Sequence, residues 1–209
     1  MDSTRRQFLL TGTATTAVAL AGCLGAGSSG QQSGNGVDSL PAPTLGPDDA
    51  PVAVAVYEDY ACPHCYHYAT ETFPNLRDTY VGEGVVRYEH HDFPIPVDEQ
   101  WSYQAPSAAR AVQDEVGDDA FFEFSGGLWD NFGSYSLELL GQLADEVGAD
   151  PGTVRDAATN ETYKPVLEAD LNDGKSKGVR GTPTVFVNGE ALEAYDWQTV
   201  KAAVEAARQ

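Results

Sequence analysis

Residues 52–65 read VAVAVYEDYACPHC, and this stretch contains the strongest structural signals of the sequence. Its first six residues form an unbroken apolar run with β-branched side chains, which predicts a strand buried on both faces. Cys62 and Cys65 follow after a short turn, and Pro63 stands where the first turn of a helix tolerates proline. Apolar residues then recur at helical spacing to about Tyr80. The stretch therefore predicts a strand, a turn and a helix that begins at a Cys-x-x-Cys motif.

The chain beyond this stretch continues as a strand, a helical block, a hairpin and a final helix. Residues 85–90 predict a second strand, and apolar stripes at helical spacing follow in a block at about residues 97–177. Residues 184–187 predict another strand, and Asn188-Gly189 after it is a typical tight hairpin turn. This order of strands and helices favours an α/β fold with a helical insert.

The first 22 residues are predicted to be an export signal rather than part of the fold. Arg5 and Arg6 form a twin-arginine pair, and a short apolar run rich in Ala and Thr follows them. Residues 20–23 (LAGC) resemble a lipobox, which implies cleavage before Cys23 and a lipid on its sulfur. A signal cleaved elsewhere would leave a free thiol. The lipidated cysteine and a flexible linker rich in Gly and Ser account for residues 23–50, and the folded domain is expected at 51–209.

The chain is strongly acidic, with 32 Asp and Glu against 12 Lys and Arg in 209 residues, for a net charge of −20. A basic face is needed to neutralise phosphates, so this composition argues against nucleic-acid binding and against charge-driven binding to anionic membranes. Many acids with few lysines are typical of proteins that stay hydrated in concentrated salt. We therefore expect a halophilic protein, and an ordinary acidic secreted protein is the alternative.

The spacing of Cys62 and Cys65 favours a chemical role over a structural one. A disulfide between them closes so small a loop that it would constrain the unfolded chain only weakly. A structural zinc site requires four ligands with paired spacing, and the motif is the one cysteine pair, so no metal is expected. Unpaired N–H groups and the helix dipole favour a thiolate at Cys62, and His64 can add positive charge or a hydrogen bond. We therefore expect a low pKa for Cys62 and a less exposed Cys65.

The chain resembles the DsbA-like branch of the thioredoxin superfamily in three stretches. They are residues 57–65 (YEDYACPHC), 91–95 (HDFPI) and 178–189 (GVRGTPTVFVNG). The resemblance covers about residues 51–209 and implies a thioredoxin-like fold, a central mixed sheet flanked by helices with the helical block inserted. It implies that Pro183 is cis, and that the backbone of Thr182 pairs with a substrate strand. It implies no cofactor beyond the redox-active disulfide.

The group that transfers protons to the cysteines is not assigned by the resemblance. Many DsbA-like proteins carry a buried acid six residues before the first cysteine, but Val56 occupies that position here. Glu58 and Asp59 are nearby acids, and each could shuttle protons or be a solvated surface charge. His90 and His91 are adjacent at the end of a strand and are expected to face opposite sides of the sheet.

These observations predict an extracytoplasmic thiol–disulfide oxidoreductase that is lipid-anchored to the cell membrane. The expected activity is that of a dithiol oxidase, which donates the Cys62–Cys65 disulfide to reduced or misoxidised exported proteins, with Pro63 and His64 in the catalytic motif. The resemblance implies a membrane partner that passes electrons to quinone, and a tethered donor is expected to be a monomer. Two alternatives stay open, a reductase or isomerase of the same fold and a copper-binding or metallochaperone lipoprotein.

Overall fold

The computed structural model describes residues 32–33 and 36–209, so the predicted signal peptide and Cys23 lie outside the described residues. No helix in this part of the chain is both long enough and apolar enough to cross a membrane. Its strands are β1 (Gln32–Ser33), β2 (Gly36–Val37), β3 (Thr44–Leu45), β4 (Val52–Glu58), β5 (Val86–Asp92), β6 (Thr184–Val187) and β7 (Glu190–Ala191).

A five-stranded mixed sheet with the order β3-β5-β4-β6-β7 lies at the centre of the molecule. Strands β4 and β5 are parallel, and their register places Val56 beside His90 and Glu58 beside Asp92. Strand β6 runs antiparallel to β4, and β7 returns antiparallel to β6. The turn between β6 and β7 is Asn188-Gly189, whose φ angles of 49° and 84° are those that this hairpin dipeptide adopts. The predicted α/β fold with a mixed sheet is confirmed.

The helices are α1 (Pro63–His67), α2 (Phe73–Leu76), α3 (Trp101–Val116), α4 (Asp118–Asp130), α5 (Leu137–Glu146), α6 (Pro151–Asn160), α7 (Lys164–Ser176) and α8 (Trp197–Ala207). Wider π-helical turns at Tyr68–Thr72 and Arg77–Val81 make α1 and α2 parts of one continuous helical segment. One of these turns immediately precedes α2, in which Pro74 has no N–H to donate. The helical segment therefore continues past the proline and ends at Val81, close to the predicted end.

Different helices cover the two faces of the sheet. The valines of β4 are fully buried in one cluster with residues of the α1–α2 segment and of α8. On the other face α7 packs against the sheet so closely that a Cβ on Gly174 would lie 2.8 Å from the ring of Phe93. Ala53 of β4 is exposed, so this strand is not buried on both faces along its whole length. The site of interest lies where β4 ends between these layers.

Residues 36–50 belong to the domain, although they were expected to be part of a flexible linker. Strand β3 pairs with β5, and both the N–H and the hydroxyl of Thr44 donate to Asp118 of α4. Val37 is 2% exposed, and its N–H donates to the carbonyl of Thr162. The structure therefore places the start of the domain near residue 36 rather than at residue 51.

Helices α3 to α6 form the inserted helical region. Phe121, Phe124 and Leu128 are fully buried there, as the apolar stripes predict, in the same cluster as Cys62 and Cys65. Helix α7 contributes Val166 to that cluster, but it also packs on the sheet, where its Leu171 joins the cluster around Tyr57 and Phe93. The insert therefore ends near residue 160, whereas the sequence placed its end near residue 177.

Arg110 of α3 is fully buried where the insert meets the sheet. Its guanidinium donates to Asp92 at 2.7 Å, to Asp170 at 2.6 Å and to the carbonyl of Pro41 at 2.9 Å. A buried charge is tolerated only when it is paired and hydrogen-bonded, and these partners meet that condition. Arg110 therefore links the insert by hydrogen bonds to β5, to α7 and to the segment around Pro41.

Candidate active site

The Cys-x-x-Cys motif lies at the carboxyl end of β4 and at the start of α1. The N–H of Cys62 donates to the carbonyl of Asp59 at 2.9 Å, which closes the turn between the two elements. The Asp59 carboxylate accepts from the N–H groups of Ala61 and Ile95, both at 2.8 Å. Cys62 is the N-cap residue of α1 in extended conformation, and Pro63 opens the helix. The turn therefore presents the Cys62 sulfur to the unpaired N–H groups of the first helical turn.

The two cysteines are free thiols, and their environments differ. Cys62 is 3% exposed and Cys65 is fully buried, so Cys62 is the more accessible sulfur. The Cys65 thiol donates to the Cys62 sulfur, and together with N–H groups of the helix it outweighs burial and lowers the pKa of Cys62 to about 5. Burial raises the pKa of Cys65 well above its ordinary value, and the neighbouring Cys62 raises it further. The pair is therefore a thiolate at Cys62 beside a protonated thiol at Cys65.

His64 acts on the Cys62 sulfur through its backbone. Its N–H is one of the groups that lower the pKa of Cys62. The ring of His64 is exposed, and its Nδ1 lies 3.0 Å from the hydroxyl of Tyr195. The sequence suggested a charge or a hydrogen bond from His64, and it gave no indication of Tyr195, which follows the hairpin far along the chain.

Thr182 and Pro183 lie against the reactive sulfur, because β6 is the neighbour of β4 in the sheet. The peptide bond between them is cis. The Cys62 sulfur lies 3.5 Å from the carbonyl oxygen of Thr182. Among the described residues the buried hydroxyl of Thr182 has no hydrogen-bond partner, and its position near Cys62 lowers the pKa of that thiol. The resemblance placed both residues at the site, and the hydroxyl adds a contact that it did not name.

Glu58 and Asp59 are both buried, at 4% and 2% exposure, so neither is a solvated surface charge. Burial raises the pKa of Asp59 to about 7, against the opposing effect of the hydrogen bonds that its carboxylate accepts. Burial also raises the pKa of Glu58, and the hydrogen bond from His90 opposes that rise. The N–H of Asp59 donates to the Cys65 sulfur at 3.4 Å. Both acids therefore lie beside the cysteines with carboxyl groups that hold protons more tightly than usual.

His90 connects Glu58 to the charges around Arg110. Its Nδ1 lies 3.3 Å from Glu58 and its Nε2 lies 3.4 Å from Asp92. Burial lowers the pKa of His90, but the hydrogen bonds and charges of Asp92 and Glu58 outweigh burial and raise it to about 9. Burial would raise the pKa of Asp92, yet Arg110 and His90 hold it at about 2. The result is a buried series of alternating acid and base that ends at Glu58.

A cavity of about 360 Å³ opens beside Glu58 and His90, between the α1–α2 segment and α4. Thr70 and Ser125 contribute polar groups to its lining, and Phe122 contributes apolar surface. Oε1 of Glu58 is buried without a hydrogen-bond partner among the described residues. A polar cavity of this size can accommodate water that would satisfy this oxygen. In the part of the chain from residue 36 onward, no group of three or more His, Cys, Asp or Glu is arranged to hold a metal ion.

We predict that Cys62 in the reduced protein reacts with iodoacetamide with a midpoint near pH 5, because the thiolate is the reactive form and its pKa is low. Thr182→Val should raise the midpoint, since it removes the hydroxyl beside the sulfur. Thr153→Val, a change at an exposed threonine of α6, is the control and should leave the midpoint unchanged. A wild-type midpoint between pH 8 and 9 would contradict the site geometry.

Known proteins with the same fold carry out thiol–disulfide chemistry. A family model described as thioredoxin matches residues 38–206. Disulfide bond formation protein D of Bacillus subtilis is 28% identical over 170 residues, which cover 78% of this chain and 75% of that protein. The crystal structure of oxidised BdbD from Bacillus subtilis matches with a TM-score of 0.73 and 26% identity, over 80% of this chain and 92% of that one.

A second relative is named as an ion antiporter. The Na(+)/H(+) antiporter NhaA of Herminiimonas arsenicoxydans is 30% identical over 169 residues, but this chain spans 25% of its length, so the likeness concerns one part of that protein. The family match, by contrast, extends over most of this chain and includes both cysteines and the cis-proline. The chain belongs to the thioredoxin family and is a DsbA-like thiol–disulfide oxidoreductase.

Proposed function

We propose that the protein is a dithiol oxidase that donates the Cys62–Cys65 disulfide to reduced exported proteins. The observation that carries this proposal is the low pKa of Cys62, about 5, beside a buried Cys65. Stabilising the Cys62 thiolate stabilises the reduced pair, and the disulfide becomes a stronger oxidant as a result. For this two-electron couple, each tenfold stabilisation raises the potential by about 30 mV.

The proposed reaction proceeds through a mixed disulfide at Cys62. A substrate thiolate attacks the Cys62 sulfur, the Cys62–Cys65 bond breaks, and Cys65 leaves as a thiolate that takes up one proton. A second substrate thiolate attacks the substrate sulfur of the mixed disulfide, and Cys62 leaves as a thiolate, which its low pKa favours. The substrate loses two electrons and gains a disulfide, while the protein keeps both electrons and the proton on Cys65.

We propose Glu58 and Asp59 as the source of that proton. Both carboxyl groups are buried near the cysteine pair, and burial raises the pKa of each, so that a proton is available closer to neutral pH. Glu58 also borders the cavity behind the α1–α2 segment and is hydrogen-bonded to His90, which supports a route by which it regains a proton.

We expect Glu58→Gln and Asp59→Asn each to slow protonation of the Cys65 leaving group by about tenfold below pH 7, where the raised pKa of Asp59 keeps its carboxyl group protonated, because an amide cannot donate this proton. The measurement is the pH profile of the rate at which a small dithiol reduces the oxidised protein. Glu71→Gln changes an exposed acid on the same helical segment and should leave the profile unchanged. Identical profiles in wild type and both buried variants would exclude these acids as proton donors.

The oxidase proposal is tested by the equilibrium reduction potential of the pair in glutathione buffers. We expect a value near −120 mV, the strongly oxidising end of the scale for this fold. Cys62→Ser should abolish oxidation of a reduced test protein, whereas Cys23→Ser, which changes a cysteine outside the described domain, should retain it. A potential near −270 mV, at the reducing end, would instead indicate a reductase.

We also propose that the protein is exported through its twin-arginine signal, is anchored by lipid at Cys23 and is reoxidised by a quinone-linked membrane partner. The Arg5-Arg6 pair and the LAGC sequence support the export and the anchor, and the net charge of −20 supports work in concentrated salt. In cell fractionation, Cys23→Ser should move the protein from the membrane fraction to the soluble fraction, because the lipid attachment site is lost. A Cys23→Ser protein that remains in the membrane fraction would contradict the lipid anchor.

A further inference from the structure

A groove of about 410 Å³ lies beside the Thr182–Pro183 loop, between it and the loop that follows β5. Its lining includes the apolar residues Phe93, Ile95, Leu171 and Val179 and the cations Lys175 and Arg180. Arg180 is two residues before Thr182, whose carbonyl lies 3.5 Å from the Cys62 sulfur. The N–H of Ile95 donates to Asp59 in the turn before Cys62, at 2.8 Å. The groove is therefore built from two of the loops that border the reactive cysteine.

The two cations of this groove differ from most other cations of the chain. Six of the Lys and Arg side chains in residues 36–209 form ion pairs with carboxylates: Arg77, Arg87, Arg110, Lys164, Lys177 and Arg208. Lys175 and Arg180 are exposed, and among the described residues neither side chain forms an ion pair or a hydrogen bond. A chain with 32 acidic residues thus keeps two cations available beside its active site.

Arg155 and Lys201 also form no ion pair with the described residues, but they lie on α6 and α8 and do not line the groove. Their positions show that an unpaired cation is not by itself a feature of the active site. What distinguishes Lys175 and Arg180 is that both border one apolar groove, which is built from loops that contact the active-site turn and the Cys62 sulfur. The apolar side chains form the wall of the groove, and Lys175 and Arg180 form its positive rim. The combination of wall and rim is therefore the feature that requires an explanation.

We propose that this groove selects substrates, and that it binds a segment of a substrate protein with an apolar and an acidic side chain near its reacting cysteine. The inference rests on the proposed thiol–disulfide exchange at Cys62. A guanidinium and an ammonium on one rim match a carboxylate, and the wall beneath them matches an aliphatic or aromatic side chain. An extended segment advances about 3.3 Å per residue, so side chains two to four residues from the cysteine reach the groove.

The net charge of the protein makes such a site selective. At −20 the surface as a whole repels an acidic partner, and the positive rim offers that partner a favourable orientation at the place where the reaction occurs. A segment without carboxylates gains nothing from the rim, and a basic segment is repelled by it. The groove therefore favours acidic segments locally, against the long-range effect of the net charge.

The test compares two peptides, each with one cysteine and one leucine. One peptide carries Glu at the positions two and four residues from the cysteine, and the other carries Gln at the same positions. The rate constant for their reaction with the oxidised full chain is measured at the lowest salt concentration at which the protein stays folded, because concentrated salt screens exposed charges. Lys175→Gln/Arg180→Gln is compared with Arg155→Gln/Lys201→Gln, which changes the net charge equally. We expect the Glu-to-Gln rate ratio to be about fivefold lower in the groove variant than in this control, the effect of exposed ion pairs.

The ratio separates the groove from the chemistry at the cysteine, because both peptides react with the same sulfur. Charge reversal by Lys175→Glu/Arg180→Glu should lower the ratio further, and Arg155→Glu/Lys201→Glu should not. Equal ratios in the groove and control variants of an active protein would overturn the groove proposal and leave the oxidase proposal intact. A reducing potential for the Cys62–Cys65 pair would overturn the oxidase proposal, while a lowered ratio would still support the groove.

Discussion

The pairing of a stabilised Cys62 thiolate with a protonated Cys65 thiol is the interaction on which the chemistry of this protein depends. It requires two neighbouring sulfurs in opposite protonation states, and the fold provides a separate environment for each. Cys62 meets the free N–H groups at the start of α1, whereas Cys65 lies one turn later under the helical insert. The reactivity of the pair therefore follows from where β4 ends and α1 begins.

The charges behind the cysteines are stabilised by their order. Glu58, His90, Asp92 and Arg110 alternate between acid and base, and His90 and Asp92 each have a partner of the other kind on both sides. The parallel register of β4 and β5 brings these groups together, because it places Glu58 next to Asp92, and His90 two residues earlier on β5 lies within reach of both carboxylates. The insert supplies Arg110. The helical insert thus buries the cysteines and also supplies the base at the end of this series. The series in turn makes the burial of Glu58 tolerable.

Local sequence patterns are enough to predict the parts of the fold that depend on local chemistry. Pro63 in the first turn predicts the helix at the cysteines, and Asn188-Gly189 predicts the hairpin. The sequence does not distinguish a buried Glu58 from a solvated one, because its burial depends on residues that pack on it from the insert. Arg110 lies 18 residues from one carboxylate partner and 60 from the other, so no spacing reveals the pairing. Strand β3 has two residues, too few to show a period.

Under the proposed lipid anchor at Cys23, the early start of the domain would limit its distance from the membrane. About 13 residues separate Cys23 from residue 36, and even a fully extended chain of that length reaches only about 45 Å. A domain of this size is about 40 Å across. With lipid at Cys23, the reactive sulfur would sweep a layer only one to two domain diameters deep. Encounters would then be confined nearly to two dimensions, and membrane-bound redox partners and proteins just emerging from export would be met far more often than proteins already released.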